Sequence, residues 1–318
     1  MSQSVCWFGQ LPMPPVRDFN RFGTPSNGSQ LWRVAHPSNI HVVGEEYSAW
    51  CGFRAITKID TAHIKWERSG ECRFIVRLGR ANQKWPLLIF LGLVVASLAA
   101  LLLLPPIPQD QSYHQFVDVR ALFGIPNVWN VISNLPFIAI GAVGLARCRD
   151  DAAAVFIFVG IFLTGFGSAY YHWSPNDDTL FWDRLPMALA FMAILAGAVE
   201  ERVSAKAGAF LLWPFLAIGV LSLLLWRWND DLRLYGWVQL FPGLALPMMF
   251  LLRPPKYTGT SCWLFAAALY ALAKVFEHFD GAIYSIGHFV SGHTLKHLAA
   301  AAACFAILRY FQTRQPIA

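Results

Sequence analysis

Ser168 and His172 stand four residues apart in GFGSAYYHW, and His293 and His297 repeat that spacing in SGHTLKHLAAAAA. On a helix such a pair lies one above the other on a single face. The imidazoles of His172, His293 and His297 are therefore candidates to converge on one ion. Three protein nitrogens with an open fourth position form the arrangement of a catalytic zinc. Asp183 follows His172 by eleven residues, close enough to return to the same place across a tight loop and move protons there. Taken singly, each residue has a plainer role. His172 could hydrogen-bond at a membrane interface, and His293 with His297 could join helices or bind haem. Asp183 before LPM could cap a helix, and Ser168 among glycines could permit close packing. Haem, however, requires neither Ser168 nor Asp183.

These residues are far apart in a chain of 318, so long elements must bring them together. With 56% hydrophobic and only 14% charged residues, the sequence is too apolar for one soluble core. A membrane-spanning helix needs about 20 mostly apolar residues. From Trp85 onward the sequence divides into eight such runs, near 86–105, 127–147, 153–173, 184–200, 208–226, 234–252, 260–279 and 291–311. The first 84 residues differ: they carry 11 Lys or Arg against 6 Asp or Glu, with no sustained helical period. They hold most of the +6 net charge and read as a basic extension, expected to be poorly ordered, that could touch anionic lipid. Residues 1–30 lack a continuous apolar core, so no signal peptide is expected. Six cysteines never form a C-x-x-C pair, which argues against a disulfide framework or a thiolate metal site. No nucleic-acid motif is evident.

Lys and Arg in short loops set orientation. One side of the eight spans receives Arg147, Arg149, Arg202, Lys206, Arg253, Lys256, Arg309 and Arg314, plus the basic residues just before Trp85; the other receives Arg120, Arg184, Arg227 and Arg233. The richer side is expected to be cytoplasmic, with both termini inside. The loop after His172 and the loop before His293 then emerge together on the opposite face.

Two further polar sets lie within the spans. Asn127, Asn130 and Asn134 form a stripe in GIPNVWNVISNLPF, with Ser133 beside them, and most simply hydrogen-bond between helices. In LAKVFEHFDG, Lys274 and Glu277 are three apart, followed by His278 and Asp280; an internal ion pair pinning two helices is the simplest reading. Both sets could also support the histidine site.

The stretch GFGSAYYH, the DRLPM eleven residues after its histidine, the late GHTLKH and the asparagine stripe NVWNVISN together resemble the alkaline ceramidase family, part of a seven-helix membrane hydrolase superfamily that also includes receptors. The resemblance covers about residues 113–311. It implies an all-α seven-transmembrane-helix bundle over 127–312, with an extra N-terminal helix at 85–106, a loop at 107–126 and a tail at 313–318. It implies one catalytic zinc on His172, His293 and His297, with Ser168 and Asp183 as catalytic residues. Hydrolysis of the N-acyl amide of ceramide-like lipids, entering from the bilayer, is the implied activity. Eukaryotic members carry an acidic calcium-binding segment before the first core helix. YHQFVDVRALFGIPN offers Asp118 but few other carboxylates, an argument against calcium. The motifs look more like bacterial members, for which the orientation above puts the zinc site toward the periplasm. Alternatives are a zinc-containing receptor without turnover, whose fourth ligand could be His288, and a related lipid esterase.

Overall fold

The computed structural model describes residues 85–317 and, before them, four strands: β1 (Ile40–Val43), β2 (Glu46–Ala49), β3 (Ala62–Lys65) and β4 (Ile75–Leu78). β1 pairs with β2 and β3 with β4, both antiparallel. The expected disorder of 1–84 otherwise concerns residues outside those described. Lys84–Ile317 forms a compact unit of its own.

That unit is an all-α polytopic membrane fold. Its helices are α1 (Trp85–Leu103), α2 (Val128–Ile132), α3 (Leu135–Arg147), α4 (Ala152–Trp173), α5 (Asp177–Arg202), α6 (Ala205–Asn229), α7 (Arg233–Leu252), α8 (Thr260–His278), α9 (Asp280–Tyr284) and α10 (Gly292–Thr313). Among the described residues, six segments are long and apolar enough to cross a bilayer: α2 with α3, and each of α4 to α8. The apolar part of α1, Leu88–Leu103, is shorter. α10 is 22 residues long but falls outside the six. It is rich in alanine and carries His293, Lys296 and His297. One physical reason is its position: α10 packs on α8 and α3 and buries eleven of its residues, so it meets protein more than lipid.

Helix starts follow local chemistry. The side chains of Asp151, Ser204 and Ser291 accept from backbone N–H groups of the first turns of α4, α6 and α10. Asn176 and Thr179 form a reciprocal capping box at α5. α5 therefore begins at Asp177, seven residues before the expected 184, and Asp183 lies inside the helix; the capping role considered for Asp183 belongs to Asn176. The run expected at 127–147 is interrupted between α2 and α3, because Pro136 in the first turn of α3 supplies no N–H to the turn before it.

α5 is the spine, packed on α4, α6 and α7. At Gly167 of α4 an added Cβ would lie 2.1 Å from the carbonyl oxygen of Trp182, so only glycine permits this approach of α4 to α5. Pro186 lacks the N–H that would otherwise bond that same carbonyl. The close crossing brings Ser168 and Asp183, the next residues on each helix, face to face.

Candidate metal centre

His172 sits in the last turn of α4, and His293 and His297 in the first two turns of α10. Their parity at one end of the bundle follows from the helix order. Position within that end is set by close packing: a Cβ on Gly292 would meet the carbonyl oxygen of Phe276 at 2.2 Å and Cα of Asp280 at 2.7 Å. This draws the start of α10 against the end of α8 and the start of α9, where Asp280 Oδ1 accepts the backbone N–H of His293 at 2.8 Å.

The three rings converge. Nε2 of His172 is 3.2 Å from Nε2 of His297 and 3.3 Å from Nε2 of His293. All three residues are buried, and the three ligand atoms lie within 4.8 Å of one another. A tetrahedral zinc with Zn–N distances of 2.0–2.1 Å separates its nitrogens by about 3.3 Å, which the two measured edges match. Among the described residues this is the one His, Cys, Asp and Glu group that could hold a metal ion. His288 is not in it; its ring rests against Tyr284.

A second layer orients the ligands. Ser133 Oγ donates to the carbonyl of Asn130 at 3.1 Å, leaving its lone pairs to accept from Nδ1–H of His297 at 2.8 Å. This assigns the proton of His297 to Nδ1 and the lone pair to Nε2, as a metal ligand requires. Asn130 Oδ1 accepts from Thr294 Oγ1 at 2.8 Å, and Asn134 Nδ2 donates to the Asn130 carbonyl at 2.7 Å. Asn127 Nδ2 donates to the backbone carbonyl of His172 at 2.9 Å. The asparagine stripe thus bonds across to both histidine helices.

Ser168 and Asp183 are buried and hydrogen-bonded to each other. Among the described residues Asp183 Oδ1 has no hydrogen-bond partner, and Asp183 feels the charges of Lys296, Arg184 and Glu277. Glu277 accepts from Lys274 at 2.8 Å and from Lys296 at 3.0 Å. The Lys274–Glu277 pair, expected to pin two helices, takes in Lys296 as well and so joins α8 to α10 between the two histidines.

The loop after α1 closes the end of the bundle with residues that spacing did not single out. Phe116 lies with its ring centroid 4.6 Å from that of His172 and 5.0 Å from that of His293. Before it, a short 3-10 turn at Gln111–His114 is capped by Asp110, whose carboxyl is held below its usual range by hydrogen bonds from Ser112. The turn presents Tyr113, stacked on Tyr171, and His114, bonded to Tyr171 Oη at 3.0 Å and Asp177 Oδ1 at 3.1 Å. Only the neighbourhood of aromatic residues in SYHQF hints at this cover.

Residues 123–241 match the family model described as Ceramidase, a stretch that holds the asparagine stripe, Ser168, His172 and Asp183 but ends before His293 and His297. No curated protein matches the chain. Over the matched stretch, less than half of the chain, the protein is similar to the ceramidase family, and the helical membrane body and the histidine cluster accord with that likeness.

Proposed function

We propose that this protein is a zinc-dependent amidohydrolase of the membrane, cleaving the N-acyl amide bond of ceramide-like lipids to a sphingoid base and a fatty acid. The carrying observation is the convergence of the His172, His293 and His297 Nε2 atoms beside a hydrogen-bonded Ser168 and Asp183. A ceramide-hydrolysing membrane function accords with the family; zinc and the specific reaction are our reading.

His172, His293 and His297 would hold the ion. Bound there, zinc lowers the pKa of a water to about 7 and polarises a carbonyl oxygen. The chain's own residues do the rest. Asp183, with an unpartnered carboxylate oxygen, takes a proton from the attacking water as its oxygen bonds to the amide carbon. In the resting protein the Ser168 hydroxyl is directed at that carboxylate. Once Asp183 is protonated it no longer attracts the Ser168 proton, and the hydroxyl turns to the oxyanion; one such donor is typically worth about 2.7–4 kcal/mol. As the C–N bond breaks, Asp183 returns its proton to the leaving nitrogen, giving amine and carboxylic acid. Phe116 covers two of the rings and excludes bulk water from them.

The bundle end that holds these groups supports lipid entry from one leaflet. The Lys- and Arg-rich opposite end supports a cytoplasmic location for both termini, with the site at the periplasmic face of a bacterial inner membrane. Asp118 has its two oxygens engaged by Arg120 at 2.8 and 2.6 Å, which supports the expectation against calcium at that segment.

The test is incubation of purified protein with fluorescent ceramide, an N-acyl amino lipid and a phospholipid, with and without a chelator. Chelator-sensitive release of fatty acid from the amides supports the proposal. Release from the phospholipid alone favours an esterase, and release from none favours a receptor.

A further inference from the structure

Two arginines are buried among the described residues, Arg184 and Arg202, and they differ. Arg202 Nε faces Glu201 Oε1 at 3.0 Å. Among the described residues Arg184, in the second turn of α5, takes part in none of the ion pairs, and its buried Nη1 has no acceptor. By sequence alone Arg184 counts as a loop charge. An arginine cannot shed its charge, so burial without a partner is costly unless something else supplies one.

Three aromatic rings surround its guanidinium carbon: Trp226 at 4.7 Å, Tyr235 at 5.0 Å and Tyr113 at 5.4 Å, measured to the centroids. Rings of this kind stabilise the charge, yet they offer nothing to the N–H donors at the edge of the guanidinium plane. The cage fixes the fork and leaves Nη1 without an acceptor among the described residues. Tyr113, the third wall, is 37% exposed, so the cage has an open side. The same Tyr113 hydroxyl reaches Glu277 at 3.4 Å, and Asp183 precedes Arg184 in sequence. The fork therefore lies at the catalytic end of the bundle.

We infer that Arg184 is a binding residue for the anionic oxygen group of an acidic amphiphile, a carboxylate, phosphate or sulfonate, received by an aromatic-caged guanidinium beside the proposed hydrolytic site. Planar N–H donors match such groups in pairs. The inference deepens the hydrolase proposal and rests on it for substrate class: the preferred N-acyl lipid carries a negative charge near its amide. The anion has two sources, the headgroup of the substrate or the carboxylate of the released fatty acid.

The experiment uses the full-length protein in detergent micelles. Binding of hexadecyl phosphate and of hexadecanol, neither of which has an amide to cleave, is followed by thermal unfolding and Trp fluorescence. Hydrolysis of N-palmitoylserine is compared with that of N-palmitoylserinol, in which a neutral hydroxymethyl group replaces the carboxylate, and inhibition by palmitate is measured alongside. Wild type should prefer hexadecyl phosphate and N-palmitoylserine by about tenfold or more, Arg184→Gln should level both preferences, and Arg184→Lys should retain part of them. If Arg184→Gln weakens phosphate binding and palmitate inhibition alone, the site stands and its anion is the product. Phosphate preference without any amide cleavage supports the anion site and removes the hydrolase reading. Equal binding of phosphate and alcohol by wild type overturns the inference even if the variants fail to fold, and leaves hydrolysis untouched.

Discussion

Ser133 Oγ lies 2.8 Å from Nδ1 of His297 while donating its own proton to the Asn130 carbonyl, so the residue that ends α2 dictates which nitrogen of a ring on α10 faces the other histidines. Such outer partners typically alter metal affinity by about 10–100-fold when removed. Ser133→Ala should weaken zinc binding by that order, read by competition with a chromogenic chelator, while the protein stays folded. Unchanged affinity would show that Ser133 does not orient His297.

Asp183 is assigned proton transfer and not metal binding. Asp183→Asn should retain the metal and lose turnover by about 10²–10⁴-fold, the usual range for a general acid–base group. Full activity in this variant would remove the role assigned to Asp183.

The approach of α4 to α5 rests on Gly167. Gly167→Ala drives a methyl group onto the Trp182 carbonyl, separating Ser168 from Asp183. Overpacking of this kind typically costs about 1–3 kcal/mol. A lowered melting temperature in detergent and lowered activity are expected, whereas Gly236→Ala, with open space around it, should be neutral. Equal melting temperatures for the two variants would mean that the helices yield without cost.

Glu277 holds Lys274 and Lys296 together. Glu277→Gln leaves the Lys296 ammonium, whose side chain is 17% exposed, without its carboxylate, and breaking a buried pair from one side costs about 3–5 kcal/mol. The exposure that remains makes the lower end of that range the expectation. Denaturation of Glu277→Gln against Lys274→Met measures it: the first should lose more stability, and the reverse order would place the important contact at Lys274.

Much of the fold is legible in the sequence because continuous apolar runs have one physical outcome in a bilayer, and the histidine spacings place rings on helix faces without knowledge of tertiary contacts. What escapes is set by non-local or competing local terms. Asp177, Asp178 and Thr179 read as loop residues, yet the Asn176–Thr179 capping box starts α5 there and carries Asp183 and Arg184 into the bundle. The break between α2 and α3 comes from Pro136, which an apolar-run argument passes over. Phe116 and Tyr113 reach the site from a loop, so no periodicity marks them.

The most direct test is the metal content of protein purified without added metal, measured by elemental analysis for wild type and for His293→Ala. The expected result is close to one zinc ion per chain in wild type and a large loss in the variant. Wild type without bound metal, or a variant that binds as much as wild type, would contradict the convergence of His172, His293 and His297 on a shared ion.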